Sequence, residues 1–134
     1  MRKPVIVGTV FLALLAAGGF LVFTDNPDSR SHVPTLDLDK PISIENELEE
    51  SKEVRLTILN ETGVVVHNET YLVEDYIYSA YNLRSATDRI ETFTVRASTQ
   101  SESDERWAGT TVCAGAPQVE ITEEDGLRIY RSIC

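Results

Sequence analysis

Few residues in this chain could do chemistry, and each type implies a different kind. Cys113 and Cys134 are the only cysteines among 134 residues. Two thiols in a segment outside the reducing cytoplasm pair into a disulfide. The loop this one closes is worth about 3 kcal/mol in chain entropy. A CxxC redox spacing is absent. His32 and His67 stand in different local contexts with no further ligand at metal-binding spacing, so His32 reads as a bystander and His67 as a structural or surface residue. Glu45, Glu47, Glu49, Glu50 and Glu53 could in principle gather a cation. Calcium loops, however, set their carboxylates around a sharply turning glycine, and this stretch has none, so it reads as a solvated loop. Asp37-Leu38-Asp39 is a D-x-D that a chain this acidic produces by chance.

Asn60-Glu61-Thr62 and Asn68-Glu69-Thr70 are N-glycosylation acceptor triplets, both without proline at the middle position. Tyr76 and Tyr78 share one face of an alternating run and could bind a sugar or a partner. Strand tyrosines more often pack the ring and wet the hydroxyl. No phosphate-binding glycine loop, G-x-S-x-G or H-E-x-x-H occurs. Met1 is the only methionine, which disfavours a blue-copper site with its usual axial ligand. The expectation is a protein that is not an enzyme, with no cofactor, no metal site and no catalytic residue.

Charge narrows the partners. Beyond Phe23 stand ten basic and 22 acidic residues, a net of −12. Nucleic acid is bound by neutralising phosphates with Lys and Arg, so this balance argues against it. It argues equally against docking on an anionic lipid surface. Acid spread through folded-looking sequence suggests a surface adapted to high salt, where screening relieves self-repulsion.

The elements that must position these residues begin with an uncharged run, Pro4 to Phe23, behind Arg2 and Lys3. At about 1.5 Å per residue a helix over this run spans about 30 Å, a bilayer core. The basic residues before it place the N-terminus in the cytoplasm and the rest outside. A cleaved signal would end in small residues, whereas Phe20-Leu21-Val22-Phe23 is bulky. A retained transmembrane anchor over residues 1–23 is therefore expected, with cleavage and secretion as the alternative. Thr9, Ala13 and Ala17 recur every four residues, but chance explains that in a run so rich in small residues. Residues 24–35, with Pro, Ser and Asp and no apolar period, read as a flexible acidic stalk.

From Leu36 the pattern has period two. Ile42/Ile44, Val54/Leu56/Ile58 and Phe93/Val95/Ala97 each alternate with polar residues. The turn Asn60-Glu61-Thr62-Gly63 predicts a hairpin into Val64–His67, with a bend near Asn68 and the strand continuing through Tyr71–Val73. Asp125-Gly126 predicts a second hairpin, between Val119/Ile121 and Leu127/Ile129. Asn82–Arg89 and Ser98–Arg106 read as polar connections, and Trp107–Val112 as a short strand. Short strands with turns about every ten residues and no amphipathic helix predict an all-β, antiparallel, Ig-like β-sandwich of about seven strands over residues 36–134.

The segments ILNETGVVVHNETY, YNLRSATDRIETFTV and LRIYRSIC, together with the acidic surface, resemble the small, uncharacterised, membrane-anchored Ig-like proteins of halophilic archaea. The resemblance covers most of the chain after the stalk and implies fold and location only. Cys113 and Cys134 do not flank Trp107 as an antibody-type inter-sheet pair would, so the antibody core is not implied. The expected role is a cell-membrane protein held in the bilayer through residues 4–23 and displaying an extracellular interaction module to another envelope protein. The alternative is an accessory subunit assembled through its transmembrane helix.

Overall fold

The structure, a computed structural model, describes residues 33–134. The expected anchor over residues 1–23 lies outside the described residues, as do Thr9, Ala13, Ala17 and His32. Among the described residues no helix is long and apolar enough to cross a membrane. Pro34–Cys134 is one compact unit.

Eight strands follow in order: β1 Pro41–Asn46, β2 Lys52–Leu59, β3 Val65–Val73, β4 Tyr76–Asn82, β5 Thr92–Ser98, β6 Ser103–Gly109, β7 Gln118–Thr122 and β8 Gly126–Tyr130. They form two four-stranded sheets, ordered β4-β1-β7-β8 and β3-β2-β5-β6. The all-β sandwich expected from the alternation is what the chain adopts. One pairing differs from an antiparallel arrangement, since β1 runs parallel to β7. Parallel neighbours need a long crossover, and here the entire second sheet lies between Asn46 and Gln118 in sequence.

The period-two residues make the core. Ile42, Ile44, Val119, Ile121, Leu127 and Ile129 come from one sheet, and Val54, Leu56, Ile58, Phe93, Val95 and Ala97 from the other; all are buried. Full burial of the Val, Leu, Ile and Phe side chains among these contributes about 1.5–3 kcal/mol each. The connection after β4 is less polar in its packing than in its composition. Leu83 opens a single 3-10 turn, Leu83–Ser85, and is fully buried. Asn82 caps that turn by accepting from the Arg84 N–H at 3.2 Å.

Asn46 is a buried polar residue that joins the sheets. Its Nδ2 donates to the carbonyls of Val73 and Glu50, at 2.9 and 2.8 Å, and its Oδ1 accepts from the Leu48 N–H at 3.0 Å. The carboxamide is thereby satisfied within the interior, which is what makes its burial tolerable. The β2–β3 turn is built by Asn60 and Gly63. Gly63 takes φ +81°, open to a residue without Cβ. The Oδ1 of Asn60 accepts from the N–H groups of Thr62 and Val64.

Ser103–Arg106, expected in a loop, forms the first half of β6. This stretch is an edge strand whose alternation is in charge rather than hydropathy. Arg96 Nη2 of β5 meets Glu105 Oε2 across the ladder at 2.7 Å. β6 ends at Gly109, so the strand does not reach Val112; Thr111 makes only an isolated bridge to Leu36.

Candidate functional site

The sheets meet along two seams, one between the edge strands β3 and β4 and the other between β6 and β8. Both gather polar and aromatic side chains where the aliphatic core runs out.

On β3, Tyr71, Glu69 and His67 pair across from the buried Val54, Leu56 and Ile58. Opposed residues share a face, so these three turn toward the interior of an edge strand. The His67 ring stacks on Tyr81 of β4 with centroids 4.3 Å apart. His67 Nε2 lies 2.8 Å from Tyr71 Oη, which is also 2.9 Å from the Ala80 carbonyl and 3.1 Å from Glu69 Oε2. A phenol has one proton to give and already faces two oxygen acceptors, so His67 Nε2 completes the cluster best as a donor to Tyr71 Oη. Burial, helped by the hydrogen bond to Glu69, pushes Tyr71 up to about 12. Burial raises Tyr81 as well. Both phenols therefore stay protonated at neutral pH, and the cluster ties β3 to β4.

The second seam is differently made. Asp104, Arg106 and Ala108 of β6 pair across from Ala97, Val95 and Phe93, so they face the interior side. Asp104 Oδ2 accepts the Ile129 N–H of β8 at 2.9 Å, while Oδ1 accepts from the Glu105 N–H and Arg106 Nη1. Just past β8, the Arg131 guanidinium lies 3.4 Å from the centroid of the Trp107 ring, a cation–π contact. Its Nε and Nη1 are enclosed and have no hydrogen-bond partner. Arg106, Arg128, Tyr130, Arg131 and Ile133 line a cleft of about 280 Å³ here. Trp107, Tyr130 and Ile133 are 50, 45 and 63 % exposed; Tyr130 and Ile133 line the cleft, and Trp107, opposite Thr94 on the ladder, meets it through Arg131. A second, wider hollow of about 420 Å³ opens beside Ser51, Lys52, Thr99 and Glu102, with no aromatic residue in its wall.

The residues singled out from the sequence lie mostly elsewhere. Cys113 and Cys134 are joined in a disulfide, with Cα atoms 5.1 Å apart. Asn60 sits in an exposed turn, where Thr62 Oγ1 donates to its Oδ1 at 2.8 Å. Asn68 lies in mid-β3, and its Oδ1 accepts from Arg55 Nε and Thr57 Oγ1. Tyr76 and Tyr78 are 50 and 70 % exposed. Asp37 is held below the usual carboxylate range by the ammonium of the buried Lys40, 2.8 Å away. Asp39 receives Asn82 Nδ2 instead. Glu45 stands beside Glu120 in the parallel β1–β7 pair. Burial, followed by the charges of Glu45 and Glu47, pushes the Glu120 carboxyl up. Among the described residues no group of three or more His, Cys, Asp or Glu side chains is placed to hold a metal ion.

The β6–β8 seam was not foreseen from the residues. Its one available signal was compositional: the single Trp of the chain and two closely spaced arginines, Arg128 and Arg131, in an acidic protein. No protein-family model, curated protein or solved structure matches this chain.

Proposed function

We propose that the chain is a non-enzymatic envelope protein, a single-pass anchor displaying an exterior Ig-like sandwich that docks another protein through the β6–β8 seam. The observation that carries this reading is a cleft lined by Arg106, Arg128 and Arg131 with the exposed Tyr130 and Ile133, one of whose arginines lies on the exposed Trp107. Trp, Tyr and Arg are the residues enriched at the energetic centres of protein interfaces. The Ig-like assignment draws support from the order β3-β2-β5-β6. It is the order C′-C-F-G of Ig-type sheets. The β7–β8 hairpin, laid parallel beside β1, is this chain's own departure from that pattern.

The extracellular location rests on the apolar run and its basic flank, and the disulfide agrees with an oxidising compartment. Of the two acceptor triplets, Asn60 is presented in a turn and Asn68 in a strand. Turns are where a bulky glycan is most easily carried.

Chemical cross-linking of the full chain in its native membranes tests the docking reading. A discrete adduct is expected with the wild type and with a chain whose first 23 residues are replaced by an unrelated anchor. The adduct should be lost with Trp107→Ala. An adduct that follows the N-terminal segment and ignores Trp107→Ala assigns the accessory-subunit role instead.

A further inference from the structure

We infer that the Arg128–Arg131 cleft beside Trp107 recognises carboxylates, its ligand being an acidic segment of the partner protein. The inference rests on the docking reading above and adds the chemistry of what docks. Its first ground is the pairing of charges. Lys40, Lys52, Arg84, Arg89, Arg96 and Arg106 each have a carboxylate within 4.0 Å. Arg55 is bonded to Asn68. Among the described residues, Arg128 and Arg131 are the arginines with neither. With 22 acidic residues available, a chain that leaves these two arginines unmatched in one cleft is leaving charge for something else.

The second ground is the state of the Arg131 guanidinium. Stacking on Trp107 fixes its plane, and two of its nitrogens are buried without an acceptor. Enclosed donors without partners are costly, and they leave the guanidinium charge without an acceptor inside the fold, so its remaining nitrogen is free to take a carboxylate from the cleft in a charge-assisted bond. Arg128 helps to prepare the same cleft. Its Nη1 donates to the Leu127 carbonyl of its own strand at 3.2 Å and not to Glu120, its neighbour across the β7–β8 ladder. Arg106 lines the cleft as well but is neutralised by Asp104 at 3.1 Å, so the net attraction comes from the other two.

The third ground is what the cleft excludes. Its free edge cannot take an added strand at Ile129, because Asp104 already occupies that N–H. Recognition must then run through side chains, and the cleft of about 280 Å³ has room for a carboxylate side chain at a time. Tyr130 and Ile133 on its rim offer apolar surface to the residues flanking that carboxylate. Short-range pairing on an aromatic face also persists in high salt better than exposed charges do.

Trp107 is the only tryptophan and carries the Arg131 guanidinium on its ring, so its fluorescence reports on the state of that arginine. The full chain in detergent micelles would be titrated with a blocked hexaglutamate peptide, with hexalysine as control. Saturable change with hexaglutamate and none with hexalysine is expected. Arg128→Gln together with Arg131→Gln should weaken binding by at least about tenfold, the loss typical of a desolvated charge pair. Arg131→Lys, which keeps the charge and loses the planar stack on Trp107, should weaken it less. Arg84→Gln, on a remote and exposed arginine, should leave it unchanged. If the double variant fails to fold, Arg128→Gln alone carries the test, since that side chain is exposed.

Absence of saturable binding overturns the inference, as does binding indifferent to both arginines. Displacement of the peptide by sulfate at matched ionic strength reduces the site to a simple anion site and also overturns it. Self-association of the chain that is abolished by Arg128→Gln would name a second copy as the acidic ligand and overturn the partner-protein version. Loss of the native-membrane adduct with Trp107→Ala, alongside failed hexaglutamate binding, would leave the docking face standing and reject only its carboxylate chemistry.

Discussion

Glu120 stands on the outer face of its sheet between strands that bring Glu45 directly beside it. Its carboxyl is raised by burial first, then by Glu45 and Glu47. A carboxyl whose folded pKa exceeds its unfolded value of 4.5 favours the fold when protonated. That contribution is fully present below the unfolded value and is lost as pH rises through the folded one. Glu120→Gln should therefore raise the melting temperature at pH 7 and lose its advantage as the pH falls toward about 4, where the wild type is protonated too. Thermal scans of both proteins across that range check the sign, and equal melting temperatures at pH 7 would refute it. Gln118 already relieves part of the crowding, since its Nε2 donates to Glu45 Oε2 at 3.0 Å. At this scale the sequence was informative where a residue acts alone: the cysteines, the turn asparagine and the glycine of the first hairpin. It was silent where residues act together. Nothing in the spacing of His67, Glu69, Tyr71 and Tyr81 says that an edge strand from each sheet brings them into one cluster. Nor does anything place Arg131 on Trp107.

Among the elements, β8 is the one most in need of protection. It is a five-residue edge strand whose unpaired groups could recruit another chain. Asp104 blocks this by reaching from β6 to take the Ile129 N–H. A side chain from the other sheet thus closes an edge that the ladder leaves open. Asp104→Ala should cost about 1–3 kcal/mol, the range for a buried donor left without its acceptor. It should also increase aggregation during refolding, because the edge is freed. Urea denaturation and light scattering measure the two effects, and a variant unchanged in both would show that the cap is dispensable. The same strand explains why half of β6 was unreadable. Ser103, Asp104, Glu105 and Arg106 carry no apolar signal, because their alternation serves ladder pairing on one face and the cap on the other. By contrast β2 and β5 are central strands, each with one face in the core, and their alternation was plain.

For the molecule as a whole, the two-sheet architecture was legible because burying one face of each strand imposes period two. The strand order was not. Whether β7 lies beside β1 or elsewhere depends on contacts between residues more than seventy positions apart, which no local pattern encodes. The charge of the chain, −10 overall, also acts at this scale. Many carboxylates on one small surface repel one another, and salt screens that repulsion over about 10 Å at 0.1 M and about 3 Å at 1 M. We expect the melting temperature to fall as salt is lowered from molar to millimolar, with the steepest loss below about 0.1 M. A melting temperature constant over that range would remove salt adaptation from the description.

The disulfide and the start of the domain converge on a single connection. Val112 N–H donates to the Thr35 carbonyl, Asp37 N–H to the Thr110 carbonyl, and Cys113 is bonded to Cys134. The incoming chain and Cys134 are thus fastened to the same few residues between β6 and β7. If the protein is tethered before Thr35 and a bound partner tugs near Cys134, the force runs through that junction first. Tension would meet two backbone hydrogen bonds and one covalent cross-link before it reached any core strand. The sandwich would then bear load at one corner while its interior stayed slack, as a buckle does for the strap it closes.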